Sequence, residues 1–171
     1  MQSDIRHLHV TKPSFLTNFL ETIGAAKPFP YLTATAISGL DTTDKVKWGR
    51  YIALYQLECY SSHSRDFAKN DYFEPEKSPG FFAGGNKMYT IEGKEIYTLN
   101  MTMDEETGFG KWTEDEFKNA IRFGQVPNNQ QALWYPMIPY SNLTDAEASA
   151  IFAYLKSVSV IQNKVERKFS E

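Results

Sequence analysis

The sequence has very little cysteine and no long apolar run. Cys59 is the only cysteine among 171 residues, so an internal disulfide is excluded and cysteine usage does not indicate the redox compartment. No apolar stretch reaches the length of a transmembrane helix, and the opening residues MQSDIRHLHV lack the apolar core of a signal peptide. We expect the chain as written to be soluble. If the protein works outside the cytoplasm, we expect its export segment to be missing from this sequence.

An excess of basic residues is also lacking. The formal net charge is -3 and the isoelectric point is about 5.7. Both values argue against nucleic acid or an anionic membrane as the main partner, because a basic face usually meets these partners. Hydrophobic residues make up 42% of the chain and aromatic residues 15%, which is enough to build a buried core. We therefore expect one globular domain, or a smaller domain with an extension.

The first forty residues differ in pattern from the rest. Apolar side chains recur there at helical spacing and are followed by Gly24, which suits a helix end; they are Phe15, Leu16, Phe19, Leu20 and Ile23. The next stretch contains two prolines and many small polar residues, which is typical of a linker. We predict an N-terminal helix and linker over residues 1–40 and the main domain over residues 41–171, with the boundary near Gly39.

The first helix predicted in the main domain runs from residue 44 to residue 57. Trp48, Ile52 and Tyr55 form one apolar stripe. Gly49 and Ala53 lie beside that stripe, so a second helix can approach the backbone closely there.

Two further helices are predicted to begin with capping boxes, in which a threonine is followed three residues later by a glutamate. One box is Thr113 with Glu116, and its helix ends at Gly124. The other is Thr144 with Glu147. The apolar faces of these helices comprise Phe117, Ala120 and Ile121 in the first, and Ile151, Tyr154, Leu155 and Val158 in the second.

Between His63 and Lys111 the sequence has little helical period and is rich in glycine, proline, asparagine and aromatic residues. The stretch MYTIEGKEIYT alternates on both sides of Glu92 and Gly93, which predicts a small β-hairpin. The remainder is predicted to be loop. A loop of this length in a compact domain is usually functional or wrapped around something.

The order and spacing of these features resemble a class I c-type cytochrome. The features are the first helix, the stretch CYSSH, the long loop and the stretch YPMIPYSNLTDAEASAIFAYLKSV. The segment NMTMDEETGFGKWTEDEF is similar to one in bacterial membrane-associated cytochromes c, including the cytochrome subunits of alcohol and sugar dehydrogenases. The resemblance covers residues 44–160. It implies a mostly α, cytochrome c-like fold of three to five helices with long loops and a small β-hairpin.

The resemblance also implies a haem c site. In the C-x-x-C-H motif of the family, two cysteines form thioethers with the haem vinyl groups and the histidine ligates the iron. Cys59 matches the first thioether position and His63 matches the iron ligand. Ser62 stands at the second thioether position, where a serine hydroxyl does not form that bond. We therefore expect a haem in this chain to be attached through Cys59 alone.

The sixth iron ligand is expected to be a methionine. In similar bacterial sequences the axial methionine directly precedes a proline, whereas here Ile138 precedes the proline and Met137 stands one place earlier. Met137 is the first choice, with Met101 and Met103 in reserve. Ligation by histidine and methionine implies transfer of single electrons rather than binding of gases.

Three further residues receive supporting roles from the resemblance. Pro79 lies where the family often supplies a backbone carbonyl to the second imidazole nitrogen. Asn100 and Trp112 each offer a side-chain donor for a haem propionate.

By resemblance, the protein is an electron-transfer component rather than an enzyme. Such domains sit in the periplasm or on the outer face of the cytoplasmic membrane, where they relay electrons from a dehydrogenase to a terminal acceptor. We expect contact with the membrane only through a segment absent from this chain.

Two alternatives remain open at this stage. The first is a cytochrome c-like interaction module that has lost its haem or holds it without a covalent bond. The second is an enzyme in which Cys59 is the nucleophile and His63 the base, although the sequence offers no third group to orient the histidine.

Overall fold

A computed structural model of the chain describes residues 14–25, 41–127, 133 and 135–166. These residues form a mostly helical structure with one small antiparallel sheet. The α-helices are α1 (Phe15–Thr22), α2 (Lys45–Tyr51), α3 (Cys59–His63), α4 (Glu114–Phe123) and α5 (Asp145–Leu155). A π-helical segment (Ile52–Gln56), two 3-10 turns (Phe67–Lys69 and Pro75–Lys77) and the strands β1 (Lys87–Tyr89) and β2 (Glu95–Tyr97) complete the set.

The chain divides into two compact units, residues 1–38 and 39–171. In the first unit, α1 begins after Ser14, whose hydroxyl accepts a hydrogen bond from the backbone N–H of Thr17 at 3.1 Å. The chain leaves the helix through Gly24, which has a φ of 72°. None of the residues of α1 is buried. Most of the predicted linker, residues 26–40, lies outside the described residues.

The second unit is built on a close crossing of α2 and α5. A Cβ atom placed on Gly49 would overlap the carbonyl oxygen of Ala150, so the two backbones touch where glycine leaves room. Ile151 and Tyr154 of α5 are 0% and 5% exposed. The close approach predicted for Gly49 is therefore confirmed.

The helix predicted over residues 44–57 is confirmed only in its first half. After Tyr51 the turns widen, and the backbone N–H of Leu57 bonds to the carbonyl of Ile52 five residues earlier, at 2.8 Å. A π turn contains an extra residue, so it rotates the side chains that follow it. The prediction that Tyr55 lies on the apolar stripe is wrong for this reason: its side chain is 49% exposed, while Leu54 is 1% exposed.

Both predicted capping boxes are present. The Thr113 hydroxyl accepts from the backbone N–H of Glu116 at the start of α4, and the Glu116 carboxylate accepts from the backbone N–H of Thr113. Thr144 and Glu147 repeat the arrangement in α5. These reciprocal bonds satisfy backbone donors that a helix start leaves free.

The predicted β-hairpin is confirmed inside the long loop. β1 and β2 pair antiparallel, with Met88 opposite Ile96. Gly93 has a φ of 78° in the connecting turn. Lys87 and Glu95 form an ion pair across the strands.

The core lies between α5, the π-helical segment and the middle of the long loop. Its fully buried large apolar residues are Phe82, Ile52, Leu54, Ile151 and Leu155. Phe82 contacts Phe81 edge to face at 4.5 Å between ring centroids, and Phe81 in turn lies 6.2 Å from Tyr60. The middle of the loop therefore supplies aromatic side chains to the core next to α3. Among the described residues, no helix combines the length and hydropathy that crossing a bilayer requires.

We predict that Gly49→Ala destabilises the protein by about 3 kcal/mol or more, because the new methyl group overlaps the α5 backbone, which cannot yield as a side chain can. Urea unfolding followed by circular dichroism measures the change. Gly93→Asn is the matched control: nothing lies within 4 Å of a Cβ there, and asparagine tolerates a positive φ, so the cost is expected to stay within about 1 kcal/mol. Equal costs for the two variants would contradict the close crossing.

Candidate haem-binding site

α3 carries both Cys59 and His63 on one short helical stretch. Glu58 precedes it with a φ of 50°, an unusual conformation for a residue with a side chain. The Ser61 hydroxyl donates to the Glu58 carbonyl at 2.8 Å, and the Ser64 hydroxyl donates to the Tyr60 carbonyl at 2.7 Å. The turn is thus fixed by its own side chains.

The Cys59 side chain points into the core and is 7% exposed. Burial raises the pKa of its thiol to about 12, because the thiolate would lose its hydration. A catalytic cysteine needs a stabilised thiolate. The structure therefore gives no support to Cys59 as a nucleophile.

His63 is half-buried, and its ring is held through one nitrogen. Nδ1 lies 2.9 Å from the carbonyl oxygen of Leu99. A carbonyl only accepts, so Nδ1 carries the hydrogen and Nε2 carries the lone pair in the neutral ring. Burial lowers the pKa of His63, and the bond to Leu99 partly opposes that effect. Because no partner of Nε2 lies among the described residues, the ring presents a free nitrogen of the kind that ligates iron.

The resemblance implied that the Pro79 carbonyl orients the His63 ring. This prediction is wrong, because the carbonyl at Nδ1 belongs to Leu99. The Pro79 carbonyl accepts from the backbone N–H of Arg65 at 3.0 Å. It is therefore used to close the loop after α3. Leu99 was not singled out from the sequence, since any residue can supply a carbonyl.

Gly84 fixes the position of the Leu99 carbonyl. Its backbone N–H donates to the carbonyl of His63 at 2.6 Å, and a Cβ on it would lie 2.6 Å from the Leu99 oxygen. Its φ is 71°, a conformation that favours glycine. The backbone and the ring of His63 are thus held by two loops that pack against each other at Gly84. The pair of glycines in the stretch AGGN is the sequence signal for such a close approach.

Asn100 is not free to bind a propionate. Its Nδ2 donates to Thr107 Oγ1 at 2.9 Å and to the Ile161 carbonyl at 2.7 Å. Its Oδ1 accepts from the backbone N–H and the hydroxyl of Thr102. All four hydrogen-bonding positions of the amide are used, and the residue is 1% exposed. The role expected for Asn100 therefore changes from ligand contact to internal support.

Trp112 remains a candidate donor. It is half-buried and stacks on Phe109, with ring centroids 4.5 Å apart. Its backbone N–H bonds to the Phe109 carbonyl, and its indole N–H has no acceptor among the described residues.

Met137 is half-buried, whereas its neighbour Ile138 is 58% exposed. The same loop carries Tyr140, whose backbone N–H bonds to the Ile121 carbonyl at 2.8 Å and whose ring packs against the core cluster that contains Cys59. Burial, with a smaller contribution from Cys59, raises the pKa of Tyr140. The reserve residue Met101 is 4% exposed and packed in the core.

These residues fit a haem c group by the chemistry of their donors. α3 offers a thiol for a thioether and an oriented imidazole with a free Nε2. The loop that carries Met137 also carries Tyr140, which packs against the core cluster that contains Cys59. No group of three or more histidine, cysteine, aspartate or glutamate side chains that could hold a bare metal ion occurs among the described residues.

Comparison with known proteins finds similarity to cytochrome subunits of dehydrogenases. The chain is 34% identical over 112 residues to the gluconate 2-dehydrogenase cytochrome c subunit of Pantoea cypripedii, a match over 64% of this chain and 22% of that protein. It is 28% identical over 144 residues to the cytochrome c subunit of the quinone alcohol dehydrogenase of Gluconacetobacter polyoxogenes, over 81% of this chain and 28% of that protein. The chain is therefore similar to cytochrome c subunits of dehydrogenases.

A third relative is the fructose dehydrogenase cytochrome subunit of Gluconobacter japonicus, 28% identical over 110 residues, which are 63% of this chain and 20% of that protein. No model of a known protein family matches the chain. The chain spans less than a third of the length of each of these three relatives.

We predict that Cys59, wherever it carries a free thiol, reacts with iodoacetamide at pH 8 at least about a hundredfold more slowly in the native protein than in denaturant, because burial removes both access and thiolate. Mass spectrometry of the alkylated chain measures both rates, and Cys59→Ser gives the blank. Rapid alkylation of the native protein would restore the nucleophile hypothesis.

Proposed function

We propose that the chain is a single-haem electron-transfer domain in which His63 and Met137 ligate the iron and Cys59 provides the one thioether. The observation that carries the proposal is the geometry of His63. Its Nδ1 is bonded to the Leu99 carbonyl at 2.9 Å and its Nε2 is free, four residues from a buried cysteine. A histidine held in this way is typical of metal ligands. In such residues the N–H of the second ring nitrogen usually donates a hydrogen bond to a carbonyl or carboxylate.

The haem would supply exchange of one electron at the iron, and the protein would supply ligands, orientation and shielding from water. The core next to α3 is aromatic and dry, with Phe81 and Phe82 8% and 0% exposed. A methionine as the sixth ligand raises the reduction potential. We favour Met137 over Met101 as this ligand because the Met137 side chain is half-buried, whereas Met101 is packed in the core.

A single thioether follows from the residue types on α3. Ser62 is half-exposed, on the turn between Cys59 and His63. A serine hydroxyl does not add to a haem vinyl group as a thiol does, so Cys59 is the one residue in the sequence that can form the bond.

We propose a dehydrogenase as the electron donor and a separate terminal acceptor, with the periplasm or the outer face of the cytoplasmic membrane as the location. The cytochrome c subunits of gluconate and alcohol dehydrogenases among the relatives support this assignment. The net charge of -3 favours a basic docking surface on at least one partner.

The spectrum of the reduced protein in alkaline pyridine tests the proposal, after expression in a host that matures haem c. We expect one haem per chain that resists extraction with acidified acetone. Extractable haem would retain the ligands and contradict the thioether. A folded protein without haem would overturn the proposed function and favour an interaction module.

We predict that Ser62→Cys shifts the reduced pyridine spectrum to shorter wavelength, because a second vinyl group becomes saturated when the second thioether forms. Ser61→Cys is the matched control: the Ser61 side chain is 7% exposed and bonds to the Glu58 carbonyl, away from the second thioether position. An unchanged spectrum for Ser62→Cys, with its thiol still open to alkylation in denaturant, would contradict the proposed position of the haem.

We predict that Met137→Leu removes the far-red absorption band of a methionine-ligated ferric haem and lowers the reduction potential, because the thioether ligand is lost. Met101→Leu, a volume-conserving change in the core, should leave the band and the potential unchanged. The reverse pattern would make Met101 the ligand.

A further inference from the structure

The segment that follows α5 is held by buried side chains rather than by regular secondary structure. The backbone N–H of Ile161 donates to Thr102 Oγ1 at 3.2 Å, and the Ile161 carbonyl accepts from Asn100 Nδ2 at 2.7 Å. The backbone N–H of Asn163 donates to Thr107 Oγ1 at 3.1 Å. Asn100 and Thr102 are 1% and 0% exposed. Because these two side chains are shielded from water, losing their bonds to Ile161 is costly.

The same segment also contacts the second loop that holds His63. Asn163 Nδ2 donates to the carbonyl of Ala83 at 2.9 Å and lies 3.3 Å from the carbonyl of Gly84. Gly84 in turn donates to the His63 carbonyl and packs on the Leu99 carbonyl. One short segment therefore contacts both loops that hold His63, the one with Gly84 and the one with Leu99 and Asn100.

We propose that Ile161 and Asn163, the C-terminal clamp, position His63. The clamp fixes Asn100 through Ile161 and Gly84 through Asn163, and so holds the Leu99 carbonyl against Nδ1 of the ring. The direction of Nε2 is then set from outside α3, by a segment about a hundred positions later in the sequence. The proposal rests on the proposed function, because the direction of Nε2 matters when it ligates the iron.

The expected effect on the iron follows from the chemistry of imidazole. A carbonyl that accepts the Nδ1 hydrogen makes the ring more basic and a stronger donor through Nε2. A stronger donor stabilises the ferric state, so a well-held histidine keeps the potential lower than a loosely held one. Loosening the clamp should therefore raise the reduction potential.

Two variants loosen the clamp, and each has a matched control. Thr102→Val removes the hydroxyl that accepts from Ile161, and Thr102→Ser retains a hydroxyl. Asn163→Ala removes the amide that reaches the Ala83 carbonyl. Gln162→Ala is its control, since the Gln162 amide bonds at the surface to the Glu106 carboxylate at 3.0 Å.

Redox titration measures the reduction potential, and electron paramagnetic resonance measures the signal of the ferric protein. Neither should change if the segment contributes only to stability. We expect a higher potential and a broadened or shifted ferric signal in Thr102→Val and Asn163→Ala, and wild-type values in Thr102→Ser and Gln162→Ala. Wild-type potentials and signals in all four variants, with a lower free energy of unfolding in the first two, would overturn the proposal and leave the segment a structural element.

Failure of the proposed function can be told apart from failure of the clamp. If the purified protein is folded but contains no haem, ¹⁵N nuclear magnetic resonance of the His63 ring tests the clamp directly. We expect the tautomer with hydrogen on Nδ1 in the wild type and a shift toward hydrogen on Nε2 in Thr102→Val and Asn163→Ala. The same tautomer in all variants would overturn the clamp.

Discussion

The hydrogen bond from His63 Nδ1 to the Leu99 carbonyl is the constraint on which the candidate site depends. It selects the tautomer of the ring, fixes its plane and leaves Nε2 as a lone-pair donor. The bond joins α3 to a residue 36 positions later in the chain, so the whole intervening loop must fold for the site to exist. The π-helical segment and the left-handed Glu58 deliver α3 at one end of this loop. Buried Asn100 secures the other end.

Close backbone contacts occur at Gly49 and Gly84, which pack directly against the backbone of another segment. Gly49 lets α5 lie directly on α2, and Gly84 lets one loop lie directly on the Leu99 carbonyl. The first contact builds the core and the second holds the histidine. In the proposed electron-transfer domain, these contacts would hold the ligating residues in place when the charge on the iron changes, so that little reorganisation would accompany the transfer.

Much of the fold could be predicted from the sequence, because its signals are local. Thr113 and Thr144 cap their helices through residues three positions away, and the hairpin turns at Gly93. Tyr55 was misplaced because a π turn leaves no mark in apolar spacing. In the candidate site, Cys59 and His63 could be found as a pair on one turn. Leu99 could not, because it contributes only a carbonyl. Asn100 was misassigned because its amide is fully used by Thr102, Thr107 and Ile161, and the bond to Ile161 spans 61 positions that no local pattern reveals.

The central claim is that one haem is bound covalently to this chain through Cys59. Mass spectrometry of the intact protein under denaturing conditions, after expression with haem c maturation, tests it most directly. The account predicts a single species heavier than the polypeptide by one haem, and a proteolytic peptide containing Cys59 that carries the added mass. A folded protein with the mass of the bare polypeptide would contradict the claim.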